Sequence, residues 1–208
     1  MNIFPLFFIS LAIYAIGAVA SLLCGKRNSP ANAVSTFCAI AASAAGLAFS
    51  VPAMISGITY SLNASLLFPI SLSIDALSAF FLSLIFLVSF ICSIYAAGYL
   101  KHFYGKYSIG VFGFFYNLFL ASMCLVAVAS NALTFLMVWE IMSLASYALV
   151  VFERDNHANV KAGSLYFIMT HIGTACILFS FLLLYRATGT FDYAMIRDSI
   201  ASVSPLIW

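Results

Sequence analysis

Charged side chains are scarce in this sequence. They make up 7% of its 208 residues, whereas soluble domains carry about 25%. Hydrophobic residues account for 65% and the mean hydropathy is +1.13, which excludes a soluble globular domain and predicts an integral membrane protein. The Lys and Arg residues are scattered and the net charge is only +2, so no basic patch points to nucleic acid.

Metal-ligating patterns are also missing. The five cysteines include no CxxC pair, and no two of the three histidines are four residues apart. These residues are Cys24, Cys38, Cys92, Cys124, Cys176, His102, His157 and His171. We therefore predict no haem, iron–sulfur or zinc site and no cofactor on this chain, and we interpret the cysteines as small buried residues. A cleaved signal peptide is not expected, because no basic region precedes the long first apolar run.

Six long apolar runs predict an all-α integral membrane fold. Each run is long enough to cross a hydrocarbon core of ~30 Å as a helix. The predicted spans are residues 3–24, 33–54, 74–100, 109–130, 132–152 and 162–185. We expect a single membrane domain over residues 1–208. The second run is rich in Ala, Ser and Gly, and small residues let helices approach closely, so it is expected inside the bundle.

The segment between the second and third runs has a different pattern. Residues 56–73 contain glycine, asparagine and proline and partly alternate, which predicts a short hairpin or interfacial loop. We expect Ser73 to cap the third helix and Asp75 to lie in its first turn, where the helix dipole favours a carboxylate. A role of Asp75 in coupling is the alternative.

The chain after the sixth run is less apolar. Residues 190–208 predict a short amphipathic segment with Tyr193, Ile196 and Ile200 on one side. Pro205 is expected to end this segment.

Basic residues predict the orientation in the membrane. Those in the first, third and fifth loops are Lys26, Arg27, Lys101, Lys106, Arg154 and Lys161. The N-terminus and the second and fourth loops contain none. Arg186 and Arg197 fall on the other side and weaken this asymmetry without reversing it. The positive-inside rule therefore places the basic loops in the cytoplasm and the N-terminus outside.

Glu140 lies near the middle of the fifth run, where an ionised carboxylate costs about 2.5–3.5 kcal/mol. Glu140, Ser143 and Tyr147 recur at i, i+3 and i+7, so they share one helical face. This polar stripe is expected to face protein or water rather than lipid. Desolvation favours the protonated carboxyl and a nearby cation favours the carboxylate, so Glu140 is a candidate proton carrier. A structural hydrogen bond to a neighbouring helix is the alternative.

His171 and Lys161 are two further candidates, in or beside the sixth run. Glu140 lies ~18 Å and His171 ~13 Å from the same membrane end, at 1.5 Å per residue, so the two are expected at similar depth. Because histidine titrates near neutrality, a Glu–water–His relay is one interpretation, and a histidine simply hydrogen-bonded to a neighbour is the other. Lys161 is interpreted as a snorkelling lysine or as the cytoplasmic mouth of a proton path.

Several segments resemble a known family. VWEIMSLASYALVVFE (138–153) resembles the fifth helix of the antiporter-like subunits of respiratory complex I. YFIMTHIGTACILFSFLLLYRATG (166–189) and TGTFDYAMI (188–196) are similar to hydrogenase-4 component B, the large membrane subunit of formate hydrogenlyase-type complexes. SLSIDALSAFFLSLI (71–85) also resembles this family. The resemblance covers most of the chain from about Ser71 onward.

This resemblance implies a membrane arm that translocates protons and is coupled to electron transfer in partner subunits. It maps the family's fifth-helix glutamate, which pairs with a seventh-helix lysine in the family, onto Glu140. The sequence stops at Trp208, before that seventh helix, so we expect the N-terminal part of such a subunit. The implied partners are lipid and other membrane subunits of a hydrogenase or complex I-like assembly, in a bacterial or archaeal inner (cell) membrane.

Three interpretations stay open from sequence. The first is a proton-translocating subunit of a group-4 hydrogenase complex. The second is the equivalent subunit of complex I or of a multisubunit Na⁺/H⁺ antiporter, and the third is a non-catalytic, truncated membrane scaffold. Because no redox centre is predicted on this chain, any oxidoreductase activity is expected to belong to the complex.

Overall fold

The computed structural model describes residues 4–25, 27–57, 59–65 and 69–202, so Lys26 and Pro205 lie outside the described part. Within it, six helices are long and apolar enough to cross a membrane. They are α1 (Phe4–Leu23), α2 (Asn28–Ser56), α3 (Ala76–Tyr99), α4 (Ile109–Val128), α5 (Ala132–Val150) and α6 (His157–Thr188). The remaining elements of the described chain are β1 (Tyr60–Ser65), β2 (Pro69–Ile74), a 3₁₀ helix (Leu100–Phe103) and α7 (Tyr193–Ser202). The predicted all-α membrane fold is confirmed.

Two helices begin earlier than the apolar runs predict. α2 begins at Asn28 rather than at residue 33, and its Pro30 falls in the first turn, where a backbone N–H has no helical partner to lose. α6 begins at His157 rather than at residue 162, and the Asn156 side chain caps it by accepting a first-turn N–H at 3.0 Å. Both added segments are polar, so hydropathy alone left them in loops.

α2 lies at the centre of the first four helices, packed against α1, α3 and α4. Its small residues make this possible. A Cβ at Gly46 of α2 would overlap the ring of Phe86 on α3, and a Cβ at Gly17 of α1 would overlap that of Cys38 on α2. The prediction that the second helix lies inside the bundle is confirmed.

Polar side chains inside this bundle join the helices by hydrogen bonds. The hydroxyls of Tyr14 on α1 and Ser43 on α2 lie 2.8 Å apart. The Asn117 side-chain amide on α4 donates to the Ser35 hydroxyl on α2 at 3.0 Å. Such bonds in membranes average about 0.6 kcal/mol each, so each one adds modestly to the stability of the bundle.

An extended backbone ladder closes one end of the bundle. β1 and β2 pair antiparallel, which confirms the predicted hairpin. The Ser71 carbonyl of β2 accepts the Ser130 N–H of the α4–α5 turn at 3.0 Å. That turn also bonds to the α6–α7 turn, because Ala132 N–H donates to the Phe191 carbonyl at 3.0 Å and Tyr193 N–H to the Ser130 carbonyl at 3.1 Å. The ladder therefore fixes the start of α5 from both sides.

The start of α3 differs from the prediction. Ser73 was expected to cap this helix, but it lies within β2, where it pairs with Ser61. Asp75 is the N-cap instead of a first-turn residue, and it accepts the Ser78 backbone N–H at 2.7 Å. This hydrogen bond to the ionised form lowers the pKa of Asp75. The strand pairing extends to Ile74, so the cap falls to the next polar residue.

Aromatic rings fill the opposite end of the bundle, where the described basic loop residues also lie. The ring of Phe152, just after α5, has its centroid 5.7 Å from Phe103, 5.2 Å from Tyr107 and 4.9 Å from Phe112. The Tyr107 hydroxyl donates to the Asp155 carboxylate at 3.1 Å. This Phe152 cluster ties the α3–α4 loop to the α5–α6 turn.

α6 and α7 are the least enclosed elements. α6 packs against α5 and α7, and among its residues Gly163 is the buried one. On α7, Ile196 is buried, Tyr193 is half-buried and Ile200 stays 43% exposed. The predicted apolar side of the tail therefore packs against protein at its start and not at Ile200.

Candidate functional site

α5 and α6 are joined by a short turn and pack closely near it. A Cβ at Gly163 of α6 would overlap the Val151 side chain at the end of α5. Glycine therefore permits an approach here that a larger residue would prevent. Farther along the two helices from this turn, side chains of α5 and α6 that face each other are in contact.

Glu140 on α5 and His171 on α6 meet at this interface. Glu140 Oε2 lies 3.5 Å from His171 Nε2, with the side chains 33% and 40% exposed. The sequence predicted similar depths but not which helical faces meet, and the structure brings these two faces together. At this distance there is no room for a water molecule between the two atoms, so the contact is direct rather than through the water of the predicted relay.

A second contact determines which nitrogen of His171 carries a hydrogen. Nδ1 lies 2.8 Å from the Phe167 carbonyl oxygen, one turn back along α6. A carbonyl only accepts hydrogen bonds, so Nδ1 is the donor. Nε2 then presents a lone pair in the neutral ring, or a hydrogen in the imidazolium. Because a lone pair facing a carboxylate is repulsive, the geometry fits one proton held between Glu140 and His171.

Aromatic side chains flank the pair on both sides. On one side, Trp139 Nε1 donates to the Thr174 hydroxyl at 3.2 Å. On the other, the Phe167 ring lies 4.0 Å from the His171 ring and 5.2 Å from the Tyr147 ring, centroid to centroid. Phe167 was not predicted, although its position four residues before His171 places it on the same helical face.

The predicted polar stripe divides in the structure. Ser143 is 3% exposed and donates to the backbone carbonyl of Glu140 at 3.0 Å, so it faces the protein interior. Glu140 and Tyr147 face α6 through His171 and Phe167. Ser143 is therefore buried, whereas Glu140 and Tyr147 contact α6 and stay partly exposed.

Lys161 and Asp75 lie away from the pair. Lys161 is exposed on α6, ~15 Å along the helix axis from His171. Asp75 is the exposed cap of α3, and capping accounts for its carboxylate. Among the described residues, no three His, Cys, Asp or Glu side chains cluster closely enough to hold a metal ion. Among the site residues predicted from sequence, the structure brings Glu140 and His171 into a contact that the sequence did not show.

Comparisons with known proteins match most of the chain. Residues 129–204 match the family model described as NADH:quinone oxidoreductase/Mrp antiporter, TM, and residues 61–108 match that described as NADH-Ubiquinone oxidoreductase (complex I), chain 5 N-terminus. Hydrogenase-4 component B of Escherichia coli (strain K12) is 33% identical over 199 residues, 94% of this chain and 29% of that protein. NADH-quinone oxidoreductase subunit L of the same organism is 32% identical over 123 residues, 59% of this chain and 20% of that protein.

A solved structure shares the fold. It is a chain of the membrane-bound sulfane sulfur reductase, an archaeal respiratory membrane complex, with a TM-score of 0.81 and 18% identity over 96% of this chain and 41% of that one. The present chain thus spans less than half the length of each of these relatives. Glu140 and His171 both lie within the segment 129–204 that the first family model matches.

Proposed function

We propose that this chain forms part of a proton-translocating subunit in a group-4 hydrogenase complex. The premise is that it belongs to the family of antiporter-like membrane subunits of complex I and hydrogenase-4. The observation that carries this proposal is the contact between Glu140 and His171 inside the matched segment. The alignment with hydrogenase-4 component B covers 94% of this chain, whereas the alignment with subunit L covers 59% of it. This difference supports the hydrogenase type of complex.

In this proposal, Glu140 and His171 together hold one transferable proton. The two forms are a neutral carboxyl beside a neutral imidazole, and a carboxylate beside an imidazolium. The Nδ1–H bond to Phe167 keeps the ring turned so that Nε2 faces Glu140 in both forms. The present 3.5 Å separation must shorten to about 2.7–2.9 Å for direct transfer, which is a small movement of one side chain.

An external charge can drive uptake and release by this pair. A cation brought toward Glu140 stabilises its carboxylate and repels the imidazolium, so it favours loss of the shared proton. Withdrawal of that cation favours uptake. Electron transfer in partner subunits of the complex is proposed to move such a charge, which couples the redox reaction to proton movement.

The basic loops support one orientation of the chain in the membrane. Because Arg27, Lys101, Lys106 and Arg154 lie in loops at one membrane end, we place that end in the cytoplasm and the N-terminus outside. Lys161 lies at the same end of α6 and is proposed as the cytoplasmic mouth of the path. The membrane is then the cell membrane of a bacterium or archaeon.

Glu140→Gln tests the proposal in the intact complex. Substrate-driven proton movement is measured in inverted membrane vesicles, and assembly is measured by co-purification of the partner subunits. We expect proton movement to be lost while assembly persists, because the amide keeps the shape and hydrogen bonding but holds no transferable proton. Glu153→Gln is the matched control, since this carboxylate lies in the α5–α6 turn outside the pair, and it should retain wild-type proton movement.

A membrane scaffold is the competing function, and the same variants distinguish it. If Glu140 only joined α5 to α6, the isosteric amide would sustain normal proton movement. The partner complex is identified separately, by whether hydrogenase or NADH dehydrogenase activity co-purifies with the chain. Recovery of NADH dehydrogenase activity alone would replace the hydrogenase assignment with the complex I subunit.

A further inference from the structure

A cavity of about 880 Å³ opens beside the Phe152 cluster, between the α3–α4 loop and the α5–α6 turn. Its wall is aromatic and aliphatic and includes Phe112 and Ala148, while its rim carries Lys106 and Arg154. The volume falls in the range of about 300–1,000 Å³ that is typical of ligand sites. Charge at the membrane end and apolar side chains deeper along α4 and α5 make this an amphipathic cavity.

The charges at the rim leave one net positive charge. Lys106 Nζ lies 3.8 Å from Asp155 Oδ2, and both side chains are exposed. The Tyr107 hydroxyl donates to the same carboxylate oxygen at 3.1 Å, so Asp155 is already held by two partners. Arg154 is the surplus cation at the rim, and the neighbouring carboxylate of Glu153 does not line the cavity. A ligand with a single negative charge complements this rim.

We propose that this cavity binds an anionic phospholipid, with its phosphate at Lys106 and Arg154 and one acyl chain along Phe112 and Ala148. A phosphodiester carries one negative charge, which matches the rim, and basic pockets at the cytoplasmic ends of transmembrane helices are suited to such headgroups. A zwitterionic headgroup brings its own cation against Arg154, and free phosphate leaves the apolar wall uncovered. Both therefore fit the cavity less well.

This site is separate from the Glu140–His171 pair, and the two meet at Tyr147, which lines the cavity and contacts the Phe167 ring. Neither Glu140 nor His171 lines the cavity. Loss of lipid binding and loss of proton movement are therefore separate outcomes, and a failure of one proposal leaves the other standing.

The test is native mass spectrometry of the full chain in detergent, titrated with phosphatidylglycerol, phosphatidylcholine or inorganic phosphate. We expect phosphatidylglycerol to bind in preference to phosphatidylcholine. Lys106→Gln/Arg154→Gln should weaken phosphatidylglycerol binding roughly 25-fold, at about fivefold per basic residue near a membrane surface. Arg27→Gln/Lys101→Gln removes the same charge from the same membrane end outside this cavity and should change binding less than twofold.

A cavity-filling variant tests the acyl-chain half of the proposal. Ala148→Trp places a large ring in the cavity and should abolish tight binding of phosphatidylglycerol while the rim charges remain. The proposal is overturned by equal affinity for phosphatidylcholine, or by wild-type affinity in Lys106→Gln/Arg154→Gln. Competition by inorganic phosphate as effective as that by the lipid also overturns it. The exposed rim substitutions avoid the packed core, so they decide the question even if the tryptophan variant fails to fold.

Discussion

His171→Gln is the substitution that most directly tests the shared proton. Glutamine retains a hydrogen-bonding amide but cannot become a cation, so the carboxylate form of Glu140 loses the partner now 3.5 Å away. An uncompensated charge at this depth costs about 2.5–3.5 kcal/mol. At 1.4 kcal/mol per factor of ten, a penalty of that size slows a step that passes through the unpaired carboxylate by roughly 60- to 300-fold.

The consequence is a slower proton release from the pair. If release from Glu140 limits turnover, proton movement in vesicles should fall by at least tenfold, with normal assembly. His102→Gln is the matched control, because this exposed histidine lies in the α3–α4 loop beside Phe103 and should retain the wild-type rate.

A double-mutant cycle extends this test. If Glu140 and His171 act as one unit, the losses in the free energy of unfolding caused by Glu140→Gln and by His171→Gln should not add in the double variant. A wild-type rate in His171→Gln, or strictly additive losses in the double variant, would refute the reasoning from the shared proton.

Two further substitutions test the packing and capping. Gly163→Val overlaps Val151 and should destabilise the protein by about 1–3 kcal/mol in chemical denaturation. Gly173→Ala, where a Cβ meets open space, should be neutral or stabilise the protein by up to about 1 kcal/mol, and an equal destabilisation by both variants would contradict the close approach. Asp75→Ala removes the α3 cap and should cost about 0.5–2 kcal/mol. Because the Ser78 N–H bond lowers the pKa of Asp75, this contribution is present above the ordinary carboxyl range and is lost as the pH falls through the lowered pKa. Melting temperatures of wild type and Asp75→Ala should therefore converge in acid, and a constant difference would contradict this assignment.

The six helices were predictable because twenty apolar residues in a row have few alternatives in a membrane. The starts of α2 and α6 were not, since Asn28 and His157 begin polar helical turns that hydropathy does not detect. Ser73 was misplaced because the backbone pairing of β2 decides its role, and pairing partners are distant in sequence.

The similar membrane depth of the two site residues was predictable from sequence, but the contact between their side chains was not. Helical rise alone placed Glu140 and His171 at similar levels. Which face of α6 meets α5 depends on the approach at Gly163, which sequence spacing does not show. The hydrogen bond from His171 to Phe167 uses a backbone carbonyl oxygen, so side-chain identity does not show it, although the four-residue spacing places both residues on one helical face.

The backbone ladder fixes the start of α5, so a tilt of this helix rotates it about that end, which is the pivot. Hydrogen bonds on both sides hold its start at Ala132, whereas Val150 at the far end adjoins a turn, ~27 Å away along the axis. Glu140 lies ~12 Å from the pivot. A tilt that displaces Val150 by ~1.6 Å therefore moves Glu140 by ~0.7 Å, which closes the 3.5 Å contact to the ~2.8 Å that direct transfer needs. A partner that pushes on the turn after α5 thus controls proton sharing without touching either side chain.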